Sequence, residues 1–568
     1  MVRNFNRKIV YTIVLPIVIL LLGLYLSFTV GQFLPGDPVL SYLFAHGITH
    51  PTVEQYEMAK STLGLDQPVF IQFFRYLADL FTGNLGYSIS VEMGNPIFTI
   101  LIERIPVTIG FTILPMILGL IAGILLGVLS IRVRYRLVKL LIQFIIVLGI
   151  SMPVFFIGMW FQYTFAYQLV LFPATGDLFM PSCILFLLTL SLTTRQVRSN
   201  YLKKLEDKHI LSFDLQIIFN MGILISSIVL LEAIFNLDGF FGLLYYALIF
   251  YDYWLLRAFV SITIILLVII LLLSNIAYTI FKKVLENNQS MVFTKYFGRT
   301  EKVVEESARY DLNSDQKFKH FTIYRLKSPL TIIGLAIVAF AIIVTVFPQV
   351  LTPFSMEEVL GVYMGSWNPP SSTHPLGQTT FGRDVLALLA YGVSTSIQLS
   401  IVSVLIGFVI GISFGYLCKV HKVLKEILLA SMVVLFIVPS IIVILILLGM
   451  TADNSLITMS IIAMYLIPCV TLIISKGTYS FKLTIKKLVI YLPLFMGFTI
   501  LLIEGLAFLG FSNPFIIHLG ANISDARVQL YTAPWASLWP SLALYILVAG
   551  FFSLHYGLKE PIPIAGRL

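Results

Sequence analysis

The chain has 568 residues, 58% of them apolar and only 11% charged, with a mean hydropathy of +0.95. A soluble protein carries about 25% charged residues, so this chain has too little polar surface to cover a water-exposed globule. Disorder, a collagen, a disulfide scaffold and a nucleic-acid-binding protein are excluded, and the formal charge of +9 needs another cause.

A helix that crosses about 30 Å of hydrocarbon needs about 20 mostly apolar residues. In chain order, such runs lie near 9–30, 106–131, 138–166, 179–194, 215–235 and 255–281. A second set lies near 329–347, 394–418, 424–449, 455–475, 487–508 and 535–556. Twelve spans in two groups of six are expected. The first run follows Arg3, Arg7 and Lys8 without a small-residue cleavage site and reads as a retained anchor. Cys183, Cys418 and Cys469 sit inside apolar runs and read as small buried hydrophobes.

Basic residues mark the cytoplasmic side. With both termini inside, the cytoplasmic segments hold 31 of the 37 Lys and Arg, and the other face keeps Lys60, Arg75, Arg104, Arg257, Arg383 and Arg527. The positive charge is therefore topology. Between the first two spans, segment 31–104 holds seven acids against three bases and many Pro, Gly and aromatic residues. It reads as an ordered outer cap, usable for docking an extracellular protein or for shielding the outer mouth. Segment 282–328, with ten basic and six acidic residues, reads as a cytoplasmic linker. The chain divides into a first half 1–281, the linker, and a second half 329–568.

The halves repeat. Gly119, Gly123 and Gly127 follow Thr108 at offsets 11, 15 and 19, and Gly407, Gly411 and Gly415 follow Ser396 at the same offsets. Glycines four apart line one helix face and admit a second backbone closely. Pro153, next to Ser151-Met152, and Pro439 interrupt the third span of each half and should kink it. Glu232 and Glu504 end the two fifth spans. A carboxylate in a span is costly and usually functional. These two, with Ser151 and the two prolines, are candidates for a pathway lining or outer gate; a helix-terminal carboxylate bonding nearby backbone is the other reading. Each half has an even number of spans, so the repeats are parallel.

No Gly-x-x-x-x-Gly-Lys-Ser/Thr phosphate loop occurs, and no His/Cys/Asp/Glu cluster has metal-ligand spacing. No catalytic residue is assigned and no enzyme is expected.

Ordered motifs then carry a resemblance. The first half has Leu34-Pro35-Gly36-Asp37-Pro38, Leu63-Gly64-Leu65-Asp66-Gln67-Pro68, Gly83-Asn84-Leu85-Gly86-Tyr87-Ser88, Ile105-Pro106-Val107-Thr108 and Phe172-Pro173-Ala174-Thr175-Gly176. The second has His374-Pro375-Leu376-Gly377, Gly382-Arg383-Asp384-Val385, Tyr391-Gly392, and Glu504 followed by Phe508-Leu509-Gly510-Phe511. In this order the chain resembles the two membrane subunits of a dipeptide/oligopeptide/nickel-type ABC importer, fused head to tail.

The resemblance implies an all-α membrane fold of the ABC type I importer permease kind. It implies two separate ATP-binding subunits that hold ATP and Mg, an extracellular substrate-binding protein, and no cofactor in this chain. Membrane lipid is the remaining partner, and nucleic acid is not one. It also implies a coupling helix in the loop before each fifth span, placed at Tyr201, Leu202, Leu205 and His209 in the first half and at Tyr479 and Phe481 in the second. The family pattern there is alanine-rich with a closing glycine; His209 stands where that glycine is expected. Peptides are the default substrate. The alternatives are a twelve-span secondary carrier driven by an ion gradient, and an ABC permease for oligosaccharides or nickel complexes.

Overall fold

The computed structural model describes residues 15–32, 37–204, 212–269, 328–420, 455–475 and 481–559, a few single positions apart. Among these residues every regular element is helical, and only two isolated bridges, Tyr87 with Pro96 and Gln378 with Asp384, have β character. The chain is an all-α membrane protein.

The first half begins with α1 (Leu15–Gln32), then three short helices, α2 (Pro38–Ala45), α3 (Val53–Thr62) and α4 (Val69–Thr82). Their ends follow local rules. The Asp37 carboxylate accepts the N–H groups of Val39 and Leu40 at the start of α2, and Thr52 and Gln55 form a reciprocal capping box on α3. The remaining first-half helices are α5 (Ile97–Arg132), α6 (Arg136–Ser151), α7 (Val154–Phe161), α8 (Phe179–Lys204), α9 (Ser212–Ile234), α10 (Gly242–Ile249) and α11 (Trp254–Leu266). The second half holds α12 (Pro329–Val346), α13 (Met356–Leu360), α14 (Val385–Val420), α15 (Ser455–Ser475), α16 (Phe481–Phe508), α17 (Leu519–Ala526) and α18 (Pro534–Lys559).

Among the described residues, seven helices are long and apolar enough to cross a membrane: α5, α8, α12, α14, α15, α16 and α18. An eighth candidate is broken. Leu140–Ser151 and Val154–Gln168 meet at 92°, where Pro153 supplies no N–H to continue the ladder. Among the described residues, three shorter apolar helices, Leu20–Thr29, Gly222–Ile234 and Trp254–Leu266, overlap the expected first, fifth and sixth runs. The expected run 424–449, with Pro439, lies almost entirely outside the described residues, as does the linker 282–328.

One set of boundaries is corrected. The second-span helices α5 and α14 begin at Ile97 and Val385, nine residues before the runs expected at 106 and 394. Both have 36 residues, about 54 Å at 1.5 Å per residue, and so outrun the hydrocarbon. The early turns of α5 contain Glu103 and Arg104, which hid them from an apolar search. Residues 97–104 therefore belong to this helix, not to an outer cap.

The contacts divide the chain into two compact units that do not coincide with the sequence halves. One unit comprises Met1–Thr112, Ile217–Asn288 and Val433–Ala452; the other comprises Ile113–Gln216, Gln289–Met432 and Asp453–Leu568. Within the first, α4 packs Phe73 and Tyr76 onto Leu24 and Phe28 of α1. Within the second, first-half helices pack with second-half ones: Phe155 of α7 stacks on Phe508 of α16, and Phe156 on Tyr545 of α18.

Candidate functional site: two carboxylate clamps

In the first half, Glu232 lies near the end of α9 and is buried. The helix closes when Leu237 N–H reaches back to the Glu232 carbonyl at 2.9 Å, with Asn236 left-handed at φ 48°. The chain then turns back, and both carboxylate oxygens meet donors. Thr108 of α5 donates its hydroxyl to Oε1 at 2.5 Å, and Gly242, the first residue of α10, donates its N–H to Oε2 at 2.5 Å. Thr108 Oγ1 in turn accepts the N–H of Phe240 at 2.8 Å. A carboxylate at a helix N-terminus satisfies orphan donors and meets the positive end of the helix dipole. Gly239 makes the approach possible: a methyl on it would overlap the Glu232 carboxyl group.

The second half builds the same device. Glu504 of α16 is fully buried; its helix closes with Phe511 N–H on the Leu506 carbonyl at 3.0 Å and Gly510 left-handed at φ 87°. Ser396 of α14 donates to Glu504 Oε1 at 2.7 Å, and Gly520, in the first turn of α17, donates its N–H to Oε2 at 2.6 Å. The Ser396 hydroxyl also lies 2.7 Å from the Gly392 carbonyl; its single proton is shared between two acceptors. A methyl on Gly520 would overlap the main-chain oxygen of Glu504. His518, buried two residues before Gly520, sets its Nδ1 3.6 Å from Glu504 Oε1.

The hydroxyl in each clamp is the residue from which the glycine offsets are counted, so one helix carries both features. A Cβ on Gly119, Gly123 or Gly127 would meet Thr189, Thr193 or Val197 of α8 at 2.9, 2.6 and 2.7 Å. On Gly407, Gly411 and Gly415 it would meet Leu466, Val470 and Ile474 of α15 at 2.7, 2.7 and 2.6 Å. Real Cβ atoms do not approach so closely, so these helix pairs touch backbone to side chain. One polar bond repeats as well: Thr194 lies 3.3 Å from the Gly123 carbonyl and Thr471 lies 3.3 Å from the Gly411 carbonyl.

The other sequence candidates are more scattered. Ser151 is buried at the end of α6, its hydroxyl on the Leu148 carbonyl at 3.2 Å, and Pro153 opens α7. Tyr201 and Leu202 lie on the last turn of α8, and Phe481 is the first residue of α16. Leu205, His209, Tyr479 and Pro439 lie outside the described residues.

The sequence reading missed the donors that complete each clamp. Gly242 and Gly520 act through main-chain N–H groups, which leave no letter in a sequence. It also missed Asp252, which is fully buried at the start of the sixth span. Its Oδ2 accepts the Ser88 hydroxyl at 2.5 Å and the N–H groups of Ile89, Ser90 and Val91 at 3.1–3.2 Å, while Oδ1 accepts the Leu255 N–H. The signal was an acid flanked by Tyr251 and Tyr253 just before an apolar run.

Comparison with known proteins fits this architecture. Residues 1–112 match the N-terminal domain of binding-protein-dependent transport system membrane components, and residues 116–216 match the inner membrane component of those systems. The dipeptide transport system permease protein DppB of Lactococcus lactis subsp. cremoris is 31% identical over 204 residues, covering 34% of this chain and 64% of the relative, just under two thirds. The glutathione transport system permease protein GsiD of Pectobacterium atrosepticum is 25% identical over 248 residues, 39% of this chain and 82% of the relative. The dipeptide transport system permease protein DppC of Alkalihalophilus pseudofirmus is 25% identical over 269 residues, 42% of this chain and 86% of the relative. Each relative is thus little more than half as long as this chain, as a fusion of two such subunits requires. Over residues 1–112 and 116–216 the chain is thus similar to the membrane components of binding-protein-dependent transport systems.

Proposed function

We propose that this single chain forms the whole translocation pathway of an ATP-driven importer for peptides or peptide-like solutes. An extracellular binding protein delivers the solute, and two separate ATP-binding subunits hold ATP and Mg and supply the motion. The observation that carries this reading is the duplicated clamp, a second-span hydroxyl and a main-chain N–H gripping a fifth-span carboxylate in each half. The relatives' printed names support the solute class. The distribution of Lys and Arg supports cytoplasmic termini.

In this reading the clamps tie the outer ends of the fifth spans to the re-entering short helices α10 and α17, and movement of the fifth spans opens or closes the outer mouth. The coupling segments are Tyr201 to His209 and Tyr479 to Phe481, each leading into a fifth span. The test is copurification from native membranes followed by uptake in proteoliposomes. ATP-binding subunits should copurify, and dipeptide uptake should require ATP and the binding protein. Recovery of the chain alone, with ATP-independent uptake driven by an ion gradient, would instead establish a secondary carrier.

A further inference from the structure

Helix α4 carries more apolar surface than its packing uses. At about 100° per residue, its apolar side chains cover about 220° of the circumference, and Gln72, Arg75, Asp79 and Thr82 occupy the remaining arc. Half of the apolar arc is spent on α1, through Phe73 and Tyr76 against Leu24 and Phe28. The other half is bare: Phe70, Phe74 and Phe81 are 68%, 53% and 75% exposed, with Ile71 beside them. Phe70 and Phe74 meet edge to face with their ring centroids 4.7 Å apart.

We propose that this second face docks on lipid, so that α4 lies along the membrane boundary with Phe70, Phe74 and Phe81 among the acyl chains at that end of α1. Continuity with the lipid-facing surface names the occupant. On one side Tyr25, exposed on α1 above Leu21 and Leu22, packs edge to face on Phe73 at 5.3 Å. On the other side α4 ends at left-handed Gly83, whose Cβ position lies 4.0 Å from Phe98, and Phe98 begins the exposed row Phe98, Ile102, Ile109 of α5. The bare face of α4 therefore bridges two exposed apolar rows, one on the apolar helix α1 and one on α5, a helix long and apolar enough to cross a membrane. The polar arc points elsewhere: Gln72 donates to the carbonyls of Leu65 and Gln67, and Arg75 to that of Thr62. No polar group is left on the face itself to orient a protein partner, whereas a wide apolar arc beside a narrow polar one suits an interfacial helix.

The experiment places the photoreactive analogue benzoylphenylalanine at position 74 of the full chain, a substitution that keeps the phenyl ring in place. The protein is reconstituted in phosphatidylethanolamine/phosphatidylglycerol vesicles, and native membranes are illuminated in parallel. The same analogue at position 75 reports the polar arc. The expected result is a phospholipid mass adduct on the α4 peptide at position 74 in both preparations, with at least a fivefold weaker adduct at position 75. A cross-link from position 74 to another protein in native membranes, equal lipid labelling at 74 and 75, or no lipid adduct at 74 would each overturn the proposal.

Discussion

The two clamps hold the same chemistry at unequal chain distances. Glu232 and its amide donor Gly242 are 10 residues apart, whereas Glu504 and Gly520 are 16 apart. The glycine faces show no such drift: Gly119 and Gly407 stand at equivalent positions of two 36-residue helices, and the partners on α8 and α15 keep step at every fourth residue. The contrast separates two ways of holding a repeat. A helix seam depends on which side chain faces which, so one inserted residue would turn every small residue away. A clamp built on a main-chain N–H accepts any loop length that returns a helix start to the carboxylate. The remaining difference is chemical. The residue two before the amide donor is Phe240 in the first half and His518 in the second, and Phe240 sends its own N–H to Thr108 where Ser396 turns to a carbonyl of its own helix.

The largest expected effect comes from removing a carboxylate. Glu232→Leu leaves the Gly242 N–H and the Thr108 hydroxyl without their acceptor, and Glu504→Leu leaves the Gly520 N–H without its own while Ser396 keeps the Gly392 carbonyl, each at a cost of about 2–4 kcal/mol. Thermal unfolding in nanodiscs should give similar losses for the two variants, and ATP-driven uptake should fall in both. A loss confined to one half would break the equivalence of the clamps.

Next come the seams. Gly123→Ile and Gly411→Ile force α5 from α8 and α14 from α15, with an overpacking cost of about 1–3 kcal/mol. Gly222, with nothing within 4 Å of its Cβ position, is the matched control, and Gly222→Ala should change stability little. If Gly411→Ile unfolded no earlier than that control, the close approach would not be contributing to the fold.

Smaller still is the repeated threonine bond. Thr194→Val and Thr471→Val should each cost about 0.6 kcal/mol, the usual worth of an interhelical hydrogen bond in a membrane, and the two costs should agree. The smallest effect is expected for His518→Phe, which gives the second clamp the first clamp's residue. Because His518 Nδ1 is buried without a hydrogen-bond partner, its replacement should lie within about 0.5 kcal/mol of neutral. A large destabilisation would show that the imidazole holds Glu504 in place.

Much of this was legible in the residues for a physical reason. Apolar runs, glycines four apart and a lone carboxylate in a span are side-chain patterns, and they pointed to α5, α14, Glu232 and Glu504. Pro153 likewise announced the 92° bend. What was not legible works through backbone or through pairing. The N–H of Gly242 or Gly520 has no side chain to read, and the loops differ in length, so no fixed offset from the glutamates exposed them. Arg104 made the early turns of α5 look like loop because one of its two carboxylate partners, Asp238, lies 134 residues away in sequence. Asp252 looked like a loop acid because its donors lie more than 160 residues earlier.

The central claim is that one chain supplies both halves of a single pathway, and native mass spectrometry of the complex extracted from its own membrane tests it most directly. The account predicts one copy of this 63.8 kDa chain together with two ATP-binding subunits. Two copies of the chain in one complex would contradict it, because each half would then find its partner in a second molecule.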